Sequence, residues 1–279
     1  MKKGVITDCF KRPLRECLKL AAELGFSGVQ IYATTGEFCP DMKASEKDEI
    51  KALLKQYDLE VSALCGDMGG HGFQIAADNP ERITKTKRII DLAVEFGSSV
   101  VTSHIGVIPK DNTSDRYNAM FSALTECGTY AKGKGVTVAI ETGPETAEVL
   151  KGFLDKTQGG VGVNLDPANL VMVTGDDPVD AVKLLGKYIV HTHAKDGVML
   201  KRTDPEIIYE HFATGGIEAL NVADFFLETP LGEGDVDFKA YIEALRSVGF
   251  DGYLTVERET GDDPTADIIK ALNVLNNFV

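Results

Sequence analysis

Three short apolar runs, VTVAIE (136–141), VGVNLD (161–166) and YIVHTHA (188–194), each carry an ionisable residue at or next to their C-terminal end. They are rich in β-branched residues and almost continuously apolar, as expected of strands buried on both faces. Five similar runs lie on either side: VIT (5–7), SGVQIYA (27–33), LEVSALC (59–65), SSVVTSHIG (98–106) and GYLTVE (252–257). Segments such as LRECLKLAAELGF (14–26) and ITKTKRIIDLAVEFG (83–97) separate them, with apolar residues at i, i+3, i+4 and i+7, the period of a helix. Gly25, Gly97, Gly135 and Gly249 close several of these segments just before the next run, which is helix C-cap chemistry. Eight β–α units in one chain predict an α/β fold, a (β/α)8 TIM barrel formed by a single domain over 1–279; a doubly wound sheet needs fewer strands. The connection from Ala194 to Gly252 is longer than one helix needs. It predicts an insertion at about 197–230, between strand seven and strand eight. Within it a short helix is expected at IEALNVADFFLE (217–228), ahead of the crossover helix VDFKAYIEALRSVG (236–249).

At 279 residues, with 43% hydrophobic and 26% charged residues, the chain can bury a large core without disulfide or metal staples. Its 29 Lys and Arg face 43 Asp and Glu, a formal net charge of -14. That field repels phosphate backbones and anionic lipid surfaces, so neither nucleic acid nor membrane is an expected partner. The five cysteines are scattered, with no CxxC pair, as in reduced intracellular proteins. MKKGVITDCF at the start has no apolar stretch of signal-peptide length, and no window approaches a membrane span, so a cytoplasmic location is expected.

In a barrel of this kind active sites lie at the C-terminal ends of the strands. The fifth run ends in Glu141, the sixth in Asp166, the seventh in His191 and His193, and the eighth in Glu257. Three carboxylates at one rim repel, and each resists ionising near the others. A divalent cation removes that conflict and takes the same groups as ligands; mostly oxygen with one nitrogen suits Mn, Mg, Co or Zn. Asp166 alone reads equally well as the N-cap of a helix opened by DPAN. His191 and His193 share a strand face, with His193 nearer the rim and His191 one layer deeper as a hydrogen-bonded histidine. Glu257 and Glu259 share a face likewise. Glu257 ends the run and is the expected ligand, whereas Arg258 turns away as a structural ion-pair partner.

The segments VAIE (138–141), NLDPANL (164–170), HTHAKD (191–196), PLGEGDVDF (230–238) and GFDGYLTVERE (249–259) carry a resemblance over the whole chain. The chain resembles the xylose-isomerase-like barrels grouped as sugar phosphate isomerases/epimerases, which include ketose 3-epimerases and inosose-processing enzymes. The resemblance implies that Glu141, Asp166, His193 and Glu257 bind a divalent metal ion (Mn, Mg, Co or Zn), and that Glu141 and Glu257 form the acid/base pair. It also implies a small-molecule carbohydrate substrate and a homo-oligomer, dimer or tetramer. The chemistry is consistent: moving a proton beside a carbonyl needs a base on one face and an acid on the other, with a cation to stabilise the enediolate. The chain departs from the ketose 3-epimerases at two places. Asn169 stands where they carry a histidine, and Lys195 is the nearest residue to their sugar-binding arginine, so 3-epimerisation of a free ketose does not follow.

Asn169, Lys195, His104 at the end of the fourth run and His71 in the loop MGGHGF (68–73) are the candidate substrate contacts. Phe38, Phe73, Phe225 and Phe226 are candidates to cover the mouth, with core packing as the ordinary alternative. No GxGxxG or phosphate-loop motif supports a nucleotide cofactor. The expected function is a divalent-metal-dependent isomerase or epimerase of a sugar, keto-sugar or cyclic polyol derivative. A lyase that dehydrates a keto-polyol is the enzymatic alternative, and a sugar-binding barrel without catalysis is another. An endonuclease IV-like phosphodiesterase fits least, because five histidines and a net charge of -14 do not furnish a multi-zinc site for DNA.

Overall fold

Each of the eight runs forms a strand of four to six residues, and the eight close on themselves through parallel pairing. The computed structural model describes residues 1–217 and 220–279. Its strands are β1 (Lys2–Ile6), β2 (Gly28–Tyr32), β3 (Glu60–Cys65), β4 (Val100–Ser103), β5 (Thr137–Glu141), β6 (Val161–Leu165), β7 (Ile189–Ala194), β8 (Asp196–Met199), β9 (Phe226–Thr229) and β10 (Tyr253–Val256). The closed barrel runs β1-β2-β3-β4-β5-β6-β7-β10 and back to β1, while β8 and β9 form a separate two-stranded sheet. The helices are α1 (Leu14–Leu24), α2 (Ala44–Gln56), α3 (Asn79–Glu95), α4 (Asp115–Gly133), α5 (Ala147–Leu154), α6 (Pro167–Asn169), α7 (Pro178–Leu185), α8 (Pro205–Ala213), α9 (Phe238–Ser247) and α10 (Pro264–Leu275). The four glycines expected to close helices all have positive φ, between 72° and 89°, a conformation that a Cβ disfavours.

The main core lies between the outward strand faces and the helices, with Val138, Ile140, Val163 and Leu165 packed against residues such as Leu124, Leu150 and Leu185. The two-residue period places the alternate side chains inside the barrel. There Ala63, Val100 and Ala139 form a small apolar floor. One step further along the same faces come Cys65, Thr102 and Glu141. Register aligns the inward groups in layers: Glu141 beside Asn164, Asn164 beside His191, and His193 beside Thr255. Phe38 packs edge-on against Phe96 in the core, and Phe73 is also buried there, so neither covers the mouth. All five cysteines are free thiols, and no helix among the described residues is long and apolar enough to cross a membrane.

The insertion between β7 and α9 is present, but its helix is not where the pattern placed it. The expected helix at 217–228 is replaced by α8 at 205–213, a single 3-10 turn over Val222–Asp224, and strand β9; residues 218–219 lie outside the described residues. Local chemistry explains the difference. Asp204 caps α8 through its side chain, which accepts from the Glu206 N–H at 3.0 Å, and Pro205 supplies the pre-set φ of a first helical residue. The aromatic stretch Phe226–Thr229 gains more as a strand, pairing antiparallel with Asp196–Met199. The crossover helix forms as expected as α9, capped by Asp237.

Asp196 ties this insertion to the next loop. Its buried carboxylate accepts from the backbone N–H groups of Gly197 and Val236 on one oxygen (2.9 and 3.2 Å) and of Gly232 and Gly234 on the other (2.9 and 3.0 Å). Asp196→Ala leaves these buried donors without an acceptor. It is expected to lower the unfolding free energy by roughly 2–4 kcal/mol in denaturant melts and to open the 230–236 segment to limited proteolysis.

Candidate active site

Glu141 is the last residue of β5, Asp166 and Glu257 directly follow β6 and β10, and His193 is the penultimate residue of β7. The barrel therefore delivers all four to one rim. One ligand atom from each lies within 4.8 Å of the others, and all four residues are buried. From His193 Nδ1 the distances are 3.1 Å to Glu257 Oε2, 3.6 Å to Asp166 Oδ2 and 3.7 Å to Glu141 Oε1. The two oxygens of Asp166 have different surroundings. Oδ1 caps α6, accepting from the Ala168 and Asn169 N–H groups at 2.8 and 3.1 Å, while Oδ2 is buried with no hydrogen-bond partner.

His193 Nδ1 is also buried and without a hydrogen-bond partner. The opposite ring nitrogen, Nε2, lies 3.1 Å from Gln30 Oε1 and 3.2 Å from Asn164 Nδ2. A proton on Nε2 donated to Gln30 leaves the Nδ1 lone pair aimed at the carboxylates, the tautomer that a metal ligand needs. Gln30 Oε1 also meets His191 Nε2 at 2.9 Å, and Thr255 Oγ1 meets the same nitrogen at 3.1 Å. His191 thus lies one layer deeper, as expected. Burial, with His193 beside it, holds it well below the ordinary histidine value and so neutral. Two orphaned, convergent donor atoms in a set of three carboxylates and one imidazole fit a divalent cation.

The electrostatics show the same conflict. Burial pushes the Glu141 carboxyl up to about 7, despite the opposing pull of His104 and His193. Glu257 is also desolvated, but Lys195 and His193 together hold it below the ordinary carboxylate value. Burial opposes the charge on His193, yet Glu257 and Glu141 raise it well above the usual range. With no cation, protons on Glu141 and His193 are what balance the site.

His104 stands at the rim with Nε2 3.4 Å from Glu141 Oε1, and it lines the cavity above the cluster. Asn169 reaches Glu141 Oε1 at 3.4 Å and the Thr142 carbonyl at 3.1 Å, so it steadies Glu141 from the side. The Lys195 ammonium is enclosed by carboxylates: Glu259 at 2.6 Å, Glu257 at 3.0 Å, Asp166 at 3.9 Å and Glu228 at 4.0 Å. His71 is not brought to the cluster. Its Nε2 lies 3.1 Å from Glu210 on α8, which joins the loop after β3 to the insertion. Arg258 is the structural ion-pair partner expected, bonded to Glu228 and to Asp267, both at 2.8 Å.

A cavity of about 570 Å³ opens over the cluster, lined on its outer side by a roof of α8 and β9. Arg116 at the start of α4 pairs with Glu206 of α8 at 2.7 Å, and the Tyr209 ring lies edge-on to His104 with centroids 5.8 Å apart. A methyl group at Gly143 would collide with the Tyr209 hydroxyl, so glycine there lets the roof approach the loop after β5. Sequence reasoning missed Gln30, Asn164, Glu145 and Glu228. A polar residue inside an apolar run was the available signal for Gln30 and Asn164; nothing local marked the other two.

Glu145 is buried with neither carboxylate oxygen in a hydrogen bond, and burial pushes it up to about 8, with His104 drawing it back. Its folded-state value lies above the ordinary 4.5, so the stability it lends in acid is lost progressively as pH rises from about 4.5 to about 8. Glu145→Gln is expected to match the wild type at pH 4.5 and to melt at higher temperature at pH 8, by a free energy on the order of a few kcal/mol. Paired Tm measurements across pH check this; a constant difference contradicts it.

The family described as Xylose isomerase-like TIM barrel matches residues 18–278 of this chain. Fructoselysine 3-epimerase of Shigella flexneri is 25% identical over 150 residues, 50% of this chain and 54% of that protein. The chain spans about half the length of such curated relatives. Among solved structures, the probable 3-DHS dehydratase AsbF of Bacillus anthracis, described as involved in petrobactin synthesis, superposes with a TM-score of 0.78 at 20% identity, covering 100% of each chain. The IOLI protein, solved with a bound zinc atom, superposes with a TM-score of 0.74 at 18% identity over 99% of this chain and 96% of that one. At those identities the structural likeness is one of fold. With the family match running over nearly the whole barrel, the chain belongs to the xylose isomerase-like TIM barrel family.

Proposed function

We propose that this protein is a divalent-metal-dependent isomerase or epimerase of a sugar, keto-sugar or cyclic polyol derivative. The observation that carries this reading is the convergence of Glu141, Asp166, His193 and Glu257 on one buried point beneath a cavity. These four residues would hold the metal, through atoms such as His193 Nδ1 and Asp166 Oδ2 that have no hydrogen-bond partner. When bound, a divalent ion polarises a substrate carbonyl and offsets negative charge that develops on its oxygen.

Proton transfer falls to the chain's own carboxylates. Glu141 and Glu257 come from strands separated by β6 and β7, with His193 between them, so they flank a substrate lying over the cluster. One takes the proton from the carbon beside the carbonyl, and the other returns one to the opposite face or the neighbouring carbon. Lys195 fixes Glu257, while Asn164 and Asn169 fix Glu141, which limits the motion each carboxylate needs. The enclosing roof keeps bulk water from intercepting the carbanionic species.

Incubation of keto-sugars and cyclic polyol ketones in deuterated water is expected to place deuterium at the carbon beside the carbonyl without loss of water. An unsaturated product would replace this reading by a dehydratase. Glu141→Gln and Glu257→Gln should each lower kcat by about 10²–10⁴-fold while the fold persists by circular dichroism. Binding of Mn²⁺ to metal-free protein should release protons and tighten as pH rises through about 7, since Glu141 and His193 give up protons on binding. Calorimetry in buffers of different ionisation enthalpy measures that release; pH-independent binding contradicts the four-ligand assignment.

A further inference from the structure

The cavity above the cluster has two unlike halves. Its floor is polar, with His104, Glu141, Asn169, Lys195 and Glu257. Its outer wall is apolar, formed by Met172, Val173, Tyr209, Phe212, Phe226 and Leu227. Much of that wall has no part in the barrel core. Met172 and Val173 form their own cluster with Ala168, against which Tyr209 and Phe226 pack. Phe212 and Leu227 are 56% and 51% exposed, and both border the cavity. Large apolar side chains left half-exposed inside a concave site are the feature of a surface completed by an apolar ligand. The volume, about 570 Å³, lies in the middle of the range of pockets that enclose drug-sized molecules and exceeds what a monosaccharide fills.

Charge sets the second constraint. Among the described residues the cavity is lined by seven carboxylate side chains, Asp67, Glu141, Glu206, Glu210, Glu228, Glu257 and Glu259, against Lys195 and Arg116. Both cations are already committed. Lys195 lies among four carboxylates, and Arg116 is paired with Glu206 at 2.7 Å. A phosphate ester entering this cavity would meet seven carboxylates against three basic side chains, Lys195, Arg116 and His104, each of which already faces a carboxylate.

We infer that the substrate is an uncharged hydroxy-ketone head joined to an apolar substituent, alkyl or aryl, which lies against the wall formed by α8, β9, Met172 and Val173, and that it carries no phosphate. The inference rests on the proposed metal-dependent reading of the floor and names the substrate class for it. The head places its oxygens over Glu141, Asp166, His193 and Glu257. The substituent covers Phe212 and Leu227 and removes their exposed surface from water.

Hydroxamates test this, because their two oxygens resemble those of an enediol and chelate a divalent ion. The probes are acetohydroxamate, hexanohydroxamate, phenylacetohydroxamate and phosphoglycolohydroxamate, titrated calorimetrically into Mn²⁺-loaded protein with bound metal assayed before and after. The expected result is that the hexano and phenylacetyl probes bind at least about tenfold tighter than acetohydroxamate, and that the phosphorylated probe binds more weakly than acetohydroxamate. In the Phe212→Ser/Leu227→Asp double variant the apolar advantage should vanish while acetohydroxamate affinity stays within about twofold of wild type. Equal affinity for all uncharged probes, or tightest binding of the phosphorylated one, overturns the inference and leaves the metal-site reading standing. If the double variant keeps the full apolar advantage and instead changes the oligomeric state in size-exclusion chromatography, the wall belongs to a contact between copies and the inference fails. If no hydroxamate binds although Mn²⁺ is retained, the reading of the floor fails and takes the inference with it. The wild-type probe series stands alone even where the double variant does not fold.

Discussion

Three carboxylates and an imidazole are held together where water scarcely reaches, and the rest of the molecule is arranged around that electrostatic conflict. Each carboxylate costs free energy to desolvate, and each raises the cost of ionising the next. The barrel resolves the conflict with groups contributed from every side. Gln30 crosses the interior to hold both histidines, Asn164 touches Glu141 and His193 together, and Lys195 lies against Glu257. These polar residues occupy the inward positions that aliphatic side chains take in many barrels, so the interior is a hydrogen-bonded support rather than a packed apolar plug.

The same conflict explains why the site was legible in sequence and much of its support was not. An ionisable residue at the end of an apolar strand is visible because it breaks a local pattern, and four in succession mark one rim. The two-residue period puts His191 and His193 on one face, a layer apart, and turns Arg258 away from Glu257. Asp166 posed a choice between cap and ligand that composition had no means of resolving, since the answer depends on its two oxygens facing different ways. Gln30 was hidden for another reason: its partners lie 161 and 163 residues away, and only the closed barrel brings them together.

The roof was the least legible part. The insertion answers to the barrel's mouth instead of the barrel's repeat, so helical periodicity there carried little information. Its aromatic segment favoured a helix by apolar spacing and a strand by residue type, and pairing with the segment after Lys195 decided the matter. His71 gave a similar lesson. A glycine-rich loop next to strand three pointed to a substrate contact; in the fold its histidine meets Glu210 of α8, which lines the cavity, a pairing that no local pattern signals.

Among the described residues, the two-stranded sheet of the roof shares no ladder hydrogen bonds with the barrel. The four rim residues and the roof therefore belong to different sheets, joined through Lys195 between β7 and β8 and through Glu228, which accepts from the Glu259 and Thr260 N–H groups. Side chains on the exposed face of α8, and Leu227 on β9, make none of the bonds that support β5, β6, β7 or β10, whereas Glu228 on β9 holds Arg258 and the Glu259 and Thr260 N–H groups beside Glu257. On the proposed reading of the site, such a division lets ligand preference change through a short stretch of chain while the barrel stays as it is. It also identifies residues 197–230 as the place where a designer would begin in order to redirect this protein while leaving its four rim residues in position.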